Sequence, residues 1–287
     1  MKVSDISKRH GVKDLIKRAL REDIGTGDVT STAMLGPADT ARAVIVSRGK
    51  YVVAGAAIAR LVFEVCNPKL DIRILAKDGR SVSSGDPILV VNGNARSILA
   101  AERVALNFLQ RMTGIATLTR RFVLKAKPYG VQVLDTRKTT PLLRTLEKYA
   151  VLCGGGTNHR FGLHDRVLIK DNHRAFWKRK KKGSLAEAVA AARRRYPGLQ
   201  IEVEVESEAD LKSILKEAPD WILLDNMPLD RIRRCVRLVN GKSRIEVSGG
   251  VSLATIRRIA QTGIDAVSVG AITHSAPAAD LPLEFCG

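Results

Sequence analysis

Residues 200–250 read QIEVEVESEADLKSILKEAPDWILLDNMPLDRIRRCVRLVNGKSRIEVSGG, a stretch in which three short apolar runs alternate with two longer polar segments. The apolar runs, QIEVEVE, DWILLD and RIEVS, are rich in β-branched and aliphatic residues, as strands are. The polar segments, at about 207–217 and 228–239, carry helix signals, because Ser207 is a candidate N-cap and Pro228 suits a first helical turn. Strands that alternate with helices predict a parallel sheet.

The same alternation continues on both sides of this stretch. Further strand-like runs are VQVLD and RVLIK before it and IDAVSVG after it. Further helical segments lie at about 141–152, 184–196 and 252–261. Ser184 with Glu187 forms a capping box, and Ser252 is another N-cap candidate. Six βα units predict an incomplete (β/α) barrel of about six parallel strands. A doubly wound sheet is the alternative, but no G-x-G-x-x-G or P-loop motif follows any run.

The first third of the chain has a different pattern. ARAVIVSRG, YVVAG, LDIRILAKDG and DPILVVNG are strand-like, and residues 56–66 and 97–127 are helical. This mixture predicts an α+β sandwich followed by a long helical connector. We therefore predict an N-terminal α/β sandwich domain over residues 1–111 and a barrel domain over residues 112–271. The tail, residues 272–287, is expected to pack back on the first domain.

The composition limits the classes of protein and partner. The net charge is +19, with 48 Lys and Arg against 29 Asp and Glu, so anionic partners are expected. Aromatic residues make up only 4%, and no zinc finger is visible, which argues against nucleic acid. No apolar run reaches the roughly 18 residues of a membrane span, and the N-terminus lacks an apolar signal core. The four cysteines form no CxxC pair, so a reducing cytoplasm is expected.

The carboxyl ends of the predicted strands carry most of the reactive side chains. Parallel α/β folds place their active sites at this edge, where the ends of all strands meet. A glutamate on an inward face is costly without a cation, so Glu204 implies a positively charged partner. The six strand ends are Asp135-Thr136-Arg137-Lys138, Lys170-Asp171-Asn172-His173, Glu202 with Glu204 and Glu206, Asp225-Asn226, Ser248-Gly249-Gly250 and Val269-Gly270-Ala271.

A triple glycine precedes two more cationic residues between the first two barrel strands. Gly154-Gly155-Gly156 permits positive φ and close backbone approach, so its N–H groups are candidates for an anion nest. His159 and Arg160 follow, which favours one wall of an anion site over a simple flexible loop.

Eight blocks along nearly the whole chain match one family in its order: EDIGTGDVT, AERVALNFLQRMTGIAT, LDTRKTTPLLRTLEKYAV, GGGTNHRFGLHDRVLIKDNH, EVEVES, LLDNM, EVSGGV and VSVGAITHSAPAADLPL. In these blocks the chain resembles nicotinate-nucleotide pyrophosphorylase (carboxylating), also called quinolinate phosphoribosyltransferase. The resemblance implies transfer of the phosphoribosyl group of 5-phosphoribosyl-1-pyrophosphate to quinolinate, with decarboxylation, in de novo NAD biosynthesis. The implied products are nicotinate mononucleotide, CO2 and pyrophosphate, and the implied cofactor is Mg2+. The resemblance also implies an N-terminal sandwich, an incomplete barrel and a homodimer or higher homo-oligomer with shared active sites.

The resemblance assigns expected roles residue by residue. Quinolinate is a planar dicarboxylate and the donor carries several phosphate charges, so both need cations, and arginine suits bidentate carboxylate binding. The implied quinolinate ligands are Thr136, Arg137, Lys138, His159, Arg160, Lys170 and the partner subunit's Arg103. The implied donor ligands are Lys138, Lys170, Glu204, Asp225, Ser248, Gly249, Gly250, Val269, Gly270 and Ala271. The implied catalytic residues are Lys138, Glu204 and Asp225, and the last two are the implied Mg2+ ligands, directly or through water.

Other interpretations of the same features stay open at this point. A related phosphoribosyltransferase for another pyridine or base would share these motifs, and a Schiff-base aldolase would also place a lysine at a barrel strand end, as Lys170 is placed. A nucleic-acid-binding protein would explain the net charge without chemistry. The densest basic run, HRAFWKRKKKG at residues 173–183, departs from the family; a solvated loop is one interpretation and nucleic-acid binding is another, and its role stays open.

Overall fold

The computed structural model describes residues 6–181 and 183–286. The described part leaves out residues 1–5, Lys182, Gly287 and the side chain of Lys181. The predicted domains and the basic run include these residues.

The chain forms two compact units. The first comprises residues 6–120, 140–155 and 272–286, and the second comprises residues 121–139 and 156–271 without Lys182. The predicted domain boundary between residues 111 and 112 stays a prediction.

The elements are numbered in chain order. The helices are α1 Val12–Ile24, α2 Val29–Met34, α3 Ala56–Cys66, α4 Ala95–Ala126, α5 Arg144–Cys153, α6 Asp171–Lys181, α7 Leu185–Arg195, α8 Glu208–Ile214, α9 Leu229–Val239, α10 Ile256–Ala260 and α11 Ala271–His274. The strands are β1 Thr40–Val46, β2 Tyr51–Val52, β3 Asp71–Ile74, β4 Ser81–Val82, β5 Pro87–Asn94, β6 Gln132–Leu134, β7 Val167–Ile169, β8 Ile201–Val205, β9 Trp221–Asp225, β10 Arg244–Ser248, β11 Ala266–Ser268 and β12 Leu283–Cys286. No described helix is long and apolar enough to cross a membrane.

The first unit contains an antiparallel sheet in the order β12-β1-β5-β3 and a small β2-β4 ribbon. Helix α3 buries a stripe that includes Ile58, Val62 and Phe63, and it packs against α1 and β3. The C-terminal strand β12 pairs with β1, with Leu283 opposite Ile45. The predicted α+β architecture of this part is confirmed, and the tail belongs to the same unit.

The second unit contains a six-stranded parallel sheet in the order β6-β11-β10-β9-β8-β7. In a closed barrel β6 would also pair with β7, but no such pairing occurs within the described residues. Thr157 instead lies beside β6, where its N–H donates to Val133 O at 2.8 Å and its carbonyl accepts from Asp135 N–H at 3.1 Å. The prediction of an incomplete barrel of about six parallel strands is confirmed.

The two faces of this sheet differ because side chains alternate along each strand. One face is apolar and packs under the helices, as Val203, Ile222 and Val247 do. The strand registers place the other set of side chains together, since Leu223 of β9 lies opposite both Glu204 of β8 and Glu246 of β10. This inner face also carries a small apolar cluster of Leu134, Trp221 and Ala266.

Two local predictions were wrong and one was confirmed. Residues 173–181 of the basic run lie in helix α6 and not in a loop, because lysine, arginine and alanine favour helix and Arg174 pairs with Asp210 at 2.5 Å. Helix α10 begins after Thr255, and Ser252 is not its N-cap, since Ser252 Oγ accepts the N–H of Thr255 in a preceding turn. The capping box of Ser184 with Glu187 is present.

Candidate active site

The loop after β6 carries the first cations of the site. Asp135 is fully buried and its Oδ1 accepts the N–H of His159 at 2.9 Å, so two separate chain segments are tied together. Thr136 Oγ1 accepts the N–H of Lys138 at 3.0 Å, which turns the chain directly after the strand. Arg137 and Lys138 are both exposed beyond this turn. The Thr136 hydroxyl therefore shapes the loop that presents Arg137 and Lys138.

A second cation approaches this loop from the segment before β7. Arg160 is buried, with 8% exposure. Burial, and then the neighbouring charge of Arg137, lower the pKa of Arg160. Two like charges that repel each other in this way are balanced when an anion binds between them. The geometry therefore suits a substrate with carboxylate groups.

Lys170 and Glu204 form an ion pair across β7 and β8. Lys170 Nζ lies 3.1 Å from Glu204 Oε2, and the Lys170 side chain is 45% exposed while that of Glu204 is 8% exposed. The cation that the inward position of Glu204 requires is thus Lys170. By resemblance Lys170 was assigned to both substrates and Glu204 to the phosphoribosyl donor, and the structure brings the two residues together.

Asp225 is held in place by two neighbours at the ends of β9 and β10. Its Oδ1 accepts a hydrogen bond from Ser248 Oγ, and its Oδ2 accepts one from Asn226 Nδ2 at 2.8 Å. Gly249 allows the two strand ends to approach, because its φ is +89° and a Cβ there would lie 2.0 Å from Asn226 Oδ1. Each carboxylate oxygen keeps a second acceptor site for a sugar hydroxyl or a cation.

The remaining predicted site residues lie in several places. Val269 is buried and its N–H donates to Leu134 O at 2.9 Å, so that amide serves the fold. Gly250 has a φ of +60° and open space around its α-carbon. Gly270 and Ala271 are half-buried after β11, and their role as donor ligands stays a prediction. Arg103 is exposed on α4 in the first unit.

The triple glycine does not serve as predicted at two of its three positions. The N–H of Gly154 donates to Ala150 O and the N–H of Gly155 to Leu152 O, so both amides complete the end of α5 and do not form an anion nest. A Cβ at Gly154 would lie 2.5 Å from Ala116 O, which makes the glycine a requirement of packing against α4. That interpretation was therefore wrong for these two residues.

A buried cluster lies on the inner face of the second unit. His159 Nε2 is 3.0 Å from Glu202 Oε2 and 3.4 Å from Glu246 Oε2, and Arg166 Nη1 is 3.1 Å from Glu202 Oε2. The side chains of both glutamates are fully buried. His159, Glu202 and Glu246 are also close enough together to hold a metal ion, but Arg166 and the histidine already offset their charge.

The protonation of this cluster follows from its contacts. Burial lowers the pKa of His159, but hydrogen bonds and charges of Glu202 and Glu246 raise it, to about 9. Arg160 N–H lies 2.7 Å from Nδ1, so in the neutral ring Nδ1 accepts this hydrogen bond and the proton lies on Nε2. In the charged ring, which the raised pKa favours, both nitrogens carry a proton. Burial, and then the charge of Glu202, raise the pKa of Glu246.

Sequence reasoning missed three residues that shape this site. Asn226 follows Asp225 in the motif LLDNM and was noted only as its neighbour, and Asp135 gave no sign of its contact with His159. Glu246 alternates with apolar residues in RIEVS, and this inward carboxylate was the available signal. Glu246 could have been placed on the same face as Glu204, across Leu223 of β9, only once the strand order was known.

Cations that face carboxylates, at the carboxyl ends of parallel strands, define an enzyme site for anionic substrates. Family models described as the N-terminal and C-terminal domains of quinolinate phosphoribosyl transferase match residues 28–113 and 115–284. The chain belongs to the quinolinate phosphoribosyltransferase family. The predicted enzyme class and reaction, in pyridine nucleotide biosynthesis, are confirmed by this membership.

Named relatives agree with the family models. The chain is 39% identical to the probable nicotinate-nucleotide pyrophosphorylase [carboxylating] of Bacillus subtilis, over 95% of this chain and 93% of the relative. It is 41% identical to the nicotinate-nucleotide pyrophosphorylase [carboxylating] of Mycobacterium leprae, over 95% and 96%. The crystal structure of NadC from Streptococcus pyogenes is similar with a TM-score of 0.90, at 40% identity over 96% of this chain and 97% of that chain.

Proposed function

We propose that the phosphoribosyl transfer of this family takes place at the carboxyl-end rim of the second unit's sheet. The observation that carries the proposal is the ion pair of Lys170 with Glu204, which places a cation and a carboxylate side by side at this rim. Arg137, Arg160 and Lys170 are proposed to bind the two carboxylates of quinolinate. Thr136 shapes the loop, Lys138 lies between quinolinate and the phosphoribosyl donor, and His159 is proposed to contribute to quinolinate binding beside Arg160.

The phosphoribosyl donor is proposed to bind beside these cations. Glu204 and Asp225 would accept the ribose hydroxyls, and the turns at Ser248-Gly249-Gly250 and Val269-Gly270-Ala271 would hold the 5-phosphate end. The proposal is supported by the fixed orientation of Asp225 between Ser248 and Asn226. Hydroxyls need acceptors of fixed direction, and a carboxylate held from both sides provides them.

Magnesium fits the same carboxylates. Glu204 and Asp225 offer hard oxygen ligands, which Mg2+ prefers, and each keeps acceptor capacity beyond its present hydrogen bonds. When bound, Mg2+ would neutralise charge on the pyrophosphate group. Lys170 next to Glu204 competes for the same oxygen, so these carboxylates are expected to meet the ion together with phosphate oxygens and water.

The reaction then follows from the chemistry of the substrates. The pyridine nitrogen forms a bond to the anomeric carbon while the bond to pyrophosphate breaks, so the leaving group takes the electron pair. The positively charged ring accepts the electrons of the bond to the 2-carboxylate as CO2 leaves, and the ring carbon takes a proton from solvent. The side chains align the two anions and stabilise positive charge at the sugar.

The assembly and location are proposed in the same way. We propose a homodimer or higher homo-oligomer in which the partner subunit's Arg103 completes each quinolinate site. The exposure of this cation on α4 supports the proposal. A reducing cytoplasm is consistent with Cys66, Cys153, Cys235 and Cys286, all of which are free.

The decisive assay supplies quinolinate, 5-phosphoribosyl-1-pyrophosphate and Mg2+ and follows nicotinate mononucleotide and CO2. Both products are expected to form in equal amounts, and omission of either substrate is expected to abolish them. Formation of a nucleotide from another base in preference to quinolinate would support the related transferase instead. Covalent trapping of substrate on Lys170 by borohydride would support the Schiff-base aldolase, although its ion pair with Glu204 favours the charged, unreactive amine.

A further inference from the structure

An ion pair between α4 and α5 also holds two other segments of the first unit. Arg111 Nη2 lies 3.0 Å from Glu147 Oε1, and Arg111 Nε donates to the same oxygen at 3.2 Å. The Glu147 side chain is 1% exposed and that of Arg111 is 28% exposed. A buried ion pair is weak evidence for a contribution to stability. The hydrogen bonds that this pair makes to the rest of the chain are therefore more informative.

Glu147 accepts hydrogen bonds from both polar groups of Thr140. The Thr140 N–H donates to Oε2 at 3.1 Å, and Thr140 Oγ1 donates to Oε1 at 2.8 Å. Thr140 lies two residues after Lys138 in TRKTTP. Thr136 Oγ1 accepts the N–H of Lys138 at the beginning of this loop. The stretch that carries Arg137 and Lys138 is thus held on both sides, and Glu147 holds its far end.

Arg111 also holds the segment that follows the proposed donor turn. Its Nη1 donates to Ala276 O at 3.0 Å, and its Nη2 donates to Thr273 O. Thr273 is buried and lies two residues after Ala271, the last residue of that turn. A planar guanidinium can direct N–H groups at a carboxylate and at carbonyl groups together, whereas a lysine has one nitrogen atom.

The atoms that this pair holds lie where the chain passes from one unit to the other. Residues 121–139 and 156–271 form the second unit, whereas Thr140 and Thr273 belong to the first. The chain enters the first unit again after residue 139 and after residue 271, and within two residues of each point the pair bonds to the chain. Each of these points also directly follows a proposed substrate-binding loop.

We propose that Arg111 and Glu147 are positioning residues for the phosphoribosyl transfer. Through Thr140, Glu147 fixes the end of the loop that carries Lys138. Arg111 fixes the chain directly after Val269-Gly270-Ala271. Neither residue has to touch a substrate in this role, and both loops depend on one pair. The inference rests on the proposed function, which assigns the first loop to quinolinate and the second to the phosphoribosyl donor.

The first test compares Thr140→Val with Thr140→Ser. Valine keeps the branched shape and loses the hydroxyl, whereas serine keeps the hydroxyl and loses the methyl group. Thr140 is exposed, so both variants are expected to fold. We expect Thr140→Val to lower kcat/KM for quinolinate about 10-fold, less than the roughly 100-fold that a 1 Å misplacement can cost. Thr140→Ser should stay near the wild type. A loss with serine and none with valine would overturn the proposal.

A double-mutant cycle with Glu147→Leu separates positioning from direct contact. Once Glu147 is gone, the Thr140 hydroxyl has lost this acceptor, so adding Thr140→Val should lower kcat/KM no further. An equal loss in both backgrounds would mean that the hydroxyl itself meets a substrate, and would overturn the proposal. A lower melting temperature of Glu147→Leu with unchanged kcat/KM would also overturn it. If Glu147→Leu does not fold, the comparison of valine with serine decides alone.

Arg111→Lys tests the second loop, because lysine keeps the positive charge but not the planar set of donors. KM for the phosphoribosyl donor is expected to rise about 10-fold. The matched control is Arg60→Lys, at an exposed arginine that pairs with Glu64 at 2.6 Å on α3, and it should leave this KM unchanged. An unchanged donor KM in Arg111→Lys would overturn the role of Arg111.

Turnover of quinolinate by the wild-type protein is measured before the variants. Its absence counts against the proposed function itself. Normal turnover by the wild type, together with variants that are unaffected, counts only against this inference.

Discussion

Lys170 Nζ lies 3.1 Å from Glu204 Oε2, which pairs a proposed ligand of quinolinate with a proposed ligand of the phosphoribosyl donor. The pair balances the inward glutamate while no anion is bound. When quinolinate binds, its carboxylate can replace Glu204 as the partner of the Lys170 ammonium group. When the phosphoribosyl donor binds, a sugar hydroxyl or a cation can replace Lys170 as the partner of Glu204. Affinity for the two substrates is therefore expected to be linked through this pair.

Glu204→Gln is expected to abolish most activity with little loss of stability. Turnover should fall about 100-fold, the scale of one lost transition-state contact. The unfolding free energy should change by less than about 1 kcal/mol, because the Lys170 side chain is 45% exposed and water replaces its partner. Steady-state kinetics and urea unfolding measure the two quantities. Glu208→Gln, which breaks the 2.7 Å pair with Arg234, is the control and should leave turnover unchanged.

The opposite pattern would identify a structural carboxylate. If Glu204→Gln unfolds several kcal/mol more easily, yet turns over normally where it is folded, the ion pair is needed for stability and the catalytic role is wrong. Asp225→Asn separates the same alternatives on the neighbouring strand. Its expected effect is also a loss of turnover, without a change of quinolinate affinity.

Gly249→Ala tests the close approach of the strand ends. A Cβ would lie 2.0 Å from Asn226 Oδ1, so Asn226 must move and release Asp225. We expect KM for the phosphoribosyl donor to rise about 10-fold, together with about 1–3 kcal/mol of backbone strain. Gly241→Ala is the matched control, since its φ of +76° gives similar strain and its Cβ would meet no atom within 4 Å. Equal donor KM values in the two variants would contradict the proposed role.

The strand pattern was predictable from sequence because it depends on local alternation. The run RIEVS at residues 244–248 became β10 with the same bounds, and QIEVEVE became β8, shorter by one residue at each end. The resemblance supplied the individual site residues, since cation-rich strand ends alone indicate an anion site and not which anion. The local pattern thus predicted the fold, and the resemblance of the blocks to the family predicted the chemistry.

Contacts between distant residues could not be predicted. Glu204 required a cation, but whether Lys138 or Lys170 supplied it depends on strand order, which places β7 next to β8. Helix α6 was missed because a dense run of like charge suggests a solvated loop, while its support comes from the ion pair of Arg174 with Asp210, 36 residues away. Tertiary contacts outweighed the local pattern in both cases.

Nicotinate is expected to be a poor substrate. Quinolinate offers two carboxylates to the proposed cations Arg137, Arg160 and Lys170, and nicotinate leaves some of their charge without a counterion. Since losing a charged contact commonly costs several kcal/mol, kcat/KM should be at least about 100-fold lower for nicotinate. Competing the two acids in one assay measures the ratio directly. Comparable turnover of both would contradict the carboxylating reaction.

Shared active sites predict complementation between inactive variants. If the partner subunit's Arg103 completes the site, mixed dimers of Arg103→Ala and Lys138→Ala protein contain one site free of both changes. Activity should therefore return in the mixture to about a quarter of the wild-type value for random exchange. Subunit exchange is verified by differential labelling. An exchanged mixture without activity would show that each site uses residues of one chain only.

The pH dependence of stability is expected to report the state of Glu246. Burial and the charge of Glu202 raise its pKa above the ordinary value of 4.5, so the folded protein favours the protonated form. Stability from this group is therefore fully present below pH 4.5 and is lost as the pH rises through the raised pKa. Glutamine stays neutral, so Glu246→Gln should gain stability relative to the wild type as the pH rises above 4.5.

Urea unfolding at several pH values measures the difference in unfolding free energy between the wild type and Glu246→Gln. The prediction concerns how this difference changes with pH. Comparing variants cancels the titration of distant groups, and the pH dependence that remains belongs to Glu246 together with His159 and Glu202, which interact with it. Glu284→Gln, at a carboxylate that is 54% exposed beside Arg48, is the control at an exposed site. A constant difference for Glu246→Gln would mean that this buried carboxylate keeps one charge state throughout, and that His159 balances it at every pH tested.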